Sequence, residues 1–217
     1  MSRPELANIE AIKEDATAAR NLKDWDESLA LFDEAIAALR SLLEDAGPDE
    51  SAARDIRAEL ADTYGMKGGT YRRMGKMPEA LAEYKRGLDL ERVDKLSTYN
   101  ASNVISLGIT LENLSPLEPQ VQDDLDRVIA ELEKTTSERR GDEWWAWSDL
   151  GQFNLLRDHP DRAREAYRSA MKKGPCSDEL IRHCQVLVEL RDSTKSTAPG
   201  ISQNIGEILQ FLRPATG

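Results

Sequence analysis

The sequence predicts an all-α protein, an α-solenoid of about four helix pairs with a C-terminal capping helix. Three observations lead there. Ala, Leu, Glu, Arg and Lys dominate, and β-branched runs with period-two alternation are absent. Apolar residues recur three and four apart, as in Leu29, Phe32, Ile36, Leu39 and Leu43, which is the stripe of a helix with one buried face. Turn-forming residues fall between such stripes: Gly47-Pro48, Gly75 with Pro78, Pro116 and Pro119, Pro160, then Gly174-Pro175.

The elements follow in order. Unit one, 5–46, carries Trp25-x-x-Ser28-x-x-x-Phe32-x-x-Ala35, and Asp24-x-x-Glu27 has the spacing of a capping box at its second helix. Unit two, 49–92, reads Tyr64-x-x-x-Gly68-x-x-Tyr71 and then Ala80-x-x-x-Tyr84-x-x-Gly87. Unit three, 96–140, is stretched around Ser115-Pro116-Leu117-Glu118-Pro119. Unit four, 142–175, reads Trp147-x-x-Leu150-Gly151, then Ala163-x-x-x-Tyr167-x-x-Ala170, closing on Pro175. These anchors match the tetratricopeptide repeat (TPR) pattern, in which small residues sit where paired helices cross and receive the bulky ring of the partner. Ser28 and Ala80 are 52 residues apart, more than one period of about 34, so helices around Gly47-Pro48 are expected to be long. Ser177 with Asp178-Glu179 starts a capping helix over 177–192. A polar linker is expected over 193–200, and a short C-terminal helix and tail over 201–217.

Composition excludes several classes. Among 217 residues, 29 Lys and Arg face 40 Asp and Glu, a formal charge of −11. That balance argues against DNA, RNA or anionic lipid as partner. No apolar run reaches about 18 residues, so no membrane span is expected. Met1-Ser2-Arg3-Pro4-Glu5 turns acidic at once and shows no secretory signal, which points to the cytoplasm. Cys176 and Cys184, with His159 and His183, are the whole supply of soft ligands. They fall short of a structural metal site, and both cysteines read as buried core residues. Nucleophile-elbow, phosphate-loop and zinc-protease motifs are missing, and no cofactor is expected. Acidic pairs such as Asp142-Glu143 and Asp123-Asp124 keep an enzyme as an alternative, although acidic residues also suit helix starts.

In stacked helix pairs the first helix of each pair lines the concave face. The repeat register places Lys13, Thr17 and Arg20 there from unit one, and Gly69, Arg72 and Arg73 from unit two. Unit three adds Tyr99, Asn100, Asn103 and Ser106, unit four adds Trp145, Ser148 and Gln152, and the cap adds Arg182. Residues 61–100 hold 8 basic against 6 acidic groups, the one net-positive stretch of an acidic chain. Guanidinium groups beside Asn amides and exposed rings suit a phosphorylated, planar ligand, and equally an acidic peptide. Trp145 offers a ring face for stacking.

Gly68-Gly69-Thr70-Tyr71-Arg72-Arg73, Glu91-Arg92 and Ser97-Thr98-Tyr99-Asn100-x-x-Asn103 carry a further likeness over roughly residues 60–175. The chain resembles a bacterial group of tetratricopeptide proteins related to the regulatory repeat region of animal apoptosis signal-regulating kinases. Thr98 stands where that pattern has Ser. The resemblance implies a cytoplasmic module of a signalling or defence system, set beside an effector protein and sensing an NAD-derived nucleotide; no effector domain is attached within these residues. It implies Tyr71, Arg72, Arg73, Tyr99, Asn100 and Asn103 as signature positions. The expected function is therefore a non-enzymatic interaction module, a scaffold or adaptor that binds a protein partner or ligand in its groove through those six residues with Trp145 and Gln152. A nucleotide sensor is the alternative.

Overall fold

The computed structural model describes residues 3–46, 50–94, 98–138 and 141–212. Among them every regular element is an α-helix. The order is α1 (Arg3–Asn21), α2 (Trp25–Asp45), α3 (Glu50–Arg73), α4 (Met77–Asp94), α5 (Tyr99–Glu112), α6 (Pro119–Glu138), α7 (Trp144–Leu156), α8 (Pro160–Lys172), α9 (Ser177–Thr194) and α10 (Pro199–Leu212). The fold class is the all-α one expected, and helices pack chiefly on their neighbours in the chain, as in a repeat-type array. The turn at Gly47-Pro48, Ser97 of the signature and Arg140 lie outside the described residues.

The chain divides into two compact units, Met1–Val104 and Ile105–Gly217. In the first, α1 packs on α2, α2 on α3 and α3 on α4. The apolar stripe Ala35, Ile36 and Leu39 meets Ile9, Ile56, Leu60 and Tyr64 in one core. Helices α2 and α3 run 21 and 24 residues, which absorbs the long spacing between Ser28 and Ala80. At the start of α2 the carboxylate of Asp24 accepts from the Glu27 amide at 3.4 Å, one half of the expected capping box. Gly75, at φ 77°, reverses the chain after α3 in the left-handed region that glycine enters without penalty.

In the second unit α6 packs on α7, α7 on α8 and α9 on α10, and α10 also reaches α7. Helix α7 is apolar on every side, and Leu150 to Leu156 are buried without a break, which makes it the central helix there. Residues 193–200 are not a free linker. Thr194 closes α9 with its hydroxyl donating to the Leu190 carbonyl at 2.8 Å, and the Ala198 amide returns to the Thr194 carbonyl before α10 begins. Helix α10 then buries Ile201, Ile205, Ile208, Leu209 and Leu212, so the apolar stripe of the expected tail is core.

One joint recurs in both units. A Cβ added at Gly68 would lie 2.8 Å from the Tyr84 ring, and one at Gly151 would lie 2.7 Å from the Tyr167 ring. In each case only hydrogen leaves space for the ring of the paired helix. Ala16 and Phe32, at the equivalent spacing of the first helix pair, are both fully buried.

The cysteines depart from expectation. Cys176 is exposed and stands as the N-cap of α9, its amide donating to the Glu179 carboxylate at 3.2 Å; Cys184 is half-buried. The physical reason is position, since a cap residue sits outside the first turn, where the apolar stripe does not reach.

Candidate functional site

The carboxyl ends of α1 and α3 bring Arg20, Arg72 and Arg73 into one region of the first unit, where the beginning of α5 supplies Tyr99 and Asn103. Gly69 lies at the middle of it. The space a Cβ would take there is 3.8 Å from the hydroxyls of both Tyr84 and Tyr99 and 4.0 Å from Arg20 Nη1. Arg72 Nη1 donates to Asn103 Oδ1 at 3.0 Å, and Asn103 Nδ2 donates to the Tyr99 carbonyl at 2.9 Å. The Tyr84 and Tyr99 rings meet edge-on with centroids 6.1 Å apart. Burial pushes the Tyr84 hydroxyl well above the ordinary phenol range; the neighbouring Tyr99 adds to that and Arg72 opposes it. Arg73 Nη1 donates to Asn21 Oδ1 at 3.3 Å.

Charge separates this region from the buried cations of its unit. Lys13 is matched by Glu59 at 2.8 Å and Asp62 at 2.9 Å, and these outweigh its burial to hold its pKa above the usual lysine value. Lys67 is held by Asp33 at 2.6 Å and Glu83 at 3.3 Å, Arg57 by Asp94 and Glu50, and Arg86 by Glu83 at 2.8 Å. Among the described residues, Arg20, Arg72 and Arg73 have no carboxylate within ion-pair distance; Arg72 and Arg73 donate to neutral amides. Arg20 Nε is buried without a hydrogen-bond partner. Burial, and then the charge of Arg73, pull the Arg20 guanidinium below its usual pKa, with Tyr99 and Tyr84 opposing.

Several expected site residues stand elsewhere. Asn100 is 1% exposed, and its Nδ2 donates to the Ala61 carbonyl and to Glu91 Oε1, both at 2.9 Å. It is a core residue that ties α3 and α4 to α5, because Gly87 leaves a hollow that its amide fills. Glu91 completes this joint. Its buried carboxylate also accepts the amides of Asn100 at 2.9 Å and Ala101 at 3.0 Å, capping α5 from another helix. Asn103, expected to offer its amide to a ligand, instead spends both ends inside the protein and positions Arg72. Lys13 is buried in its carboxylate cluster rather than open on a binding face. Tyr71 is half-buried, with Lys67 Nζ 5.9 Å from its ring centre.

In the second unit Trp145 is exposed, whereas Ser148 and Gln152 are buried, with Gln152 Nε2 donating to Ser106 Oγ at 3.1 Å. Arg182 is exposed. Asp142 pairs with Lys173 at 3.0 Å and Asp124 with Arg127 at 3.3 Å, while Glu143 occupies the N-cap of α7. Among the described residues, no group of three or more His, Cys, Asp or Glu side chains is placed to hold a metal ion, and no helix is long and apolar enough to cross a membrane.

Sequence reasoning did not assign Tyr84 to the site, because its ring fills a packing position and reads as core. The signal was available in its chemistry. A tyrosine that packs its ring over glycine carries a hydroxyl beyond the packed edge, where phenylalanine would end. No family model matches the chain, and no curated protein matches it.

Proposed function

We propose that the protein is a non-enzymatic interaction module of tetratricopeptide type, acting as a regulatory or adaptor component that binds an anionic surface of a protein partner through its first unit. One observation carries this reading: Arg20, Arg72 and Arg73 gather beside Tyr99 without a carboxylate, while the other basic side chains named above in that unit are ion-paired. Unmatched guanidiniums repel one another, and an incoming anion relieves that repulsion with charge-assisted hydrogen bonds. The setting in a bacterial signalling or defence system, beside an effector, rests on the resemblance alone. A nucleotide-type ligand is the second reading, favoured by the Tyr99 ring, which is 52% exposed beside those guanidiniums.

The test is capture and titration of the protein encoded next to this chain. Arg72→Ala should weaken binding tenfold or more while the melting temperature of the unliganded protein hardly moves. Unchanged affinity in a destabilised Arg72→Ala variant would show that Arg72 serves the fold instead.

A further inference from the structure

We infer that Arg20, which reaches Gly69 beside the Tyr84 and Tyr99 hydroxyls, forms with the neighbouring Arg72 a binding site for a phosphoryl group. This deepens the reading of the same region as an anion-binding face and rests on it. Four observations specify the anion further. The first is charge: three guanidiniums share the region and no carboxylate among the described residues offsets them, so a dianion fits better than a singly charged carboxylate.

The second is donor geometry. Arg20 Nε is buried and lacks an acceptor, a donor withdrawn from water with nothing in exchange. Arg72 and Arg73 each have one Nη1 engaged with a neutral amide, which leaves further N–H groups on both. A terminal phosphoryl group brings three acceptor oxygens to these donors, against two for a carboxylate. The third is shape. Gly69 carries no side chain where Arg20 Nη1 and the two hydroxyls come together, and a Cβ there would meet them at ordinary van der Waals distance. The fold therefore tolerates a side chain at Gly69. The fourth is connectivity: Arg20 belongs to α1 and Arg72 to α3, two helices that each pack on α2. An anion held by both links α1 to α3, so occupancy should raise the melting temperature.

The experiment titrates the full chain at low salt with four probes: pyrophosphate, AMP, adenosine and hexaglutamate. Pyrophosphate and AMP are expected to bind and to raise the melting temperature, and adenosine is not. AMP binding more tightly than pyrophosphate identifies a nucleotide as the source of the phosphoryl group; equal binding identifies the phosphoryl group itself as the whole determinant. Arg20→Gln should weaken pyrophosphate at least tenfold and leave the unliganded protein as stable as before or more so. Gly69→Asp, which places a carboxylate among the guanidiniums, should raise the unliganded melting temperature and abolish pyrophosphate binding. Unchanged pyrophosphate affinity in Arg20→Gln overturns the site. Binding of hexaglutamate without either phosphate probe overturns the phosphoryl assignment and leaves the anion-binding face standing. Failure of all the anionic probes removes the phosphoryl site, and capture of the neighbouring protein then decides the interaction module separately.

Discussion

Tyr84 in the first unit and Tyr167 in the second make the same joint, and their hydroxyls meet opposite surroundings. Both rings lie on a helical glycine, Gly68 or Gly151, in a contact that excludes a Cβ. Beyond the ring edge, Tyr84 reaches Arg72 and Tyr99 beside an exposed guanidinium region. Tyr167 ends against His183 Nε2 at 3.1 Å, with Trp144 edge-on to that imidazole at 6.2 Å. Burial pushes Tyr167 well above the ordinary phenol range and His183 down to about 4. One hydroxyl ends in a pair with an imidazole. The other, on a ring buried just as fully, ends beside a second tyrosine and a guanidinium. The spacing of glycine and tyrosine thus sets how the rings pack, and the helices around each hydroxyl decide what it meets.

The comparison is broken most severely by filling the glycines. Gly68→Trp and Gly151→Trp should each abolish cooperative thermal unfolding, since even added methylenes in a packed core cost about 1–3 kcal/mol and here an indole would displace a buried ring. A wild-type melting curve in either variant would remove the shared joint as an organising contact.

Acid should separate the two joints next. With His183 at about 4 when folded and at 6.5 when free, the unfolded chain takes up a proton that the folded chain refuses. The stability from the neutral imidazole is complete above about pH 6.5 and is lost as pH falls toward 4, a change of up to about 3 kcal/mol. Urea titrations at pH 7 and pH 4.5 should show a smaller pH difference for His183→Gln than for wild type. An identical difference would mean that other groups carry the acid sensitivity. Hydroxyl removal gives the smallest effect. Tyr167→Phe strands the imidazole nitrogen of His183 and should cost about 1–2 kcal/mol. Tyr84→Phe should change stability less, measured by the same melts, and should instead weaken pyrophosphate. Equal stability losses with unaltered binding would erase the distinction between the joints.

Much of this was legible in the residues. The apolar stripes predicted the helices, and Gly75 and Gly174, both at positive φ, end α3 and α8 as the turn signals required. Arg72 and Tyr99 were named together from the expected repeat register, and Asn103 bonds to both. The roles of Asn100 and Asn103 were not legible, since nothing local distinguishes an amide that meets a ligand from one that meets Glu91 or Arg72. The exposed Cys176 was misread because composition ranks cysteine as a core residue, whereas a helix cap overrides that rank.

The sequence by itself determined the helical class, the register of rings over glycines and the location of the positive stretch. These depend on periodicity and side-chain size within about one helix pair, which short spacings encode directly. Only the tertiary structure decided which cations are neutralised. Lys13 finds Glu59 and Asp62 across helices, Arg57 finds Asp94, and Arg20 finds no carboxylate among the described residues. Charge pairing acts over a few ångströms in space between residues far apart in the chain, so no reading of spacing alone distinguishes a paired guanidinium from an available one.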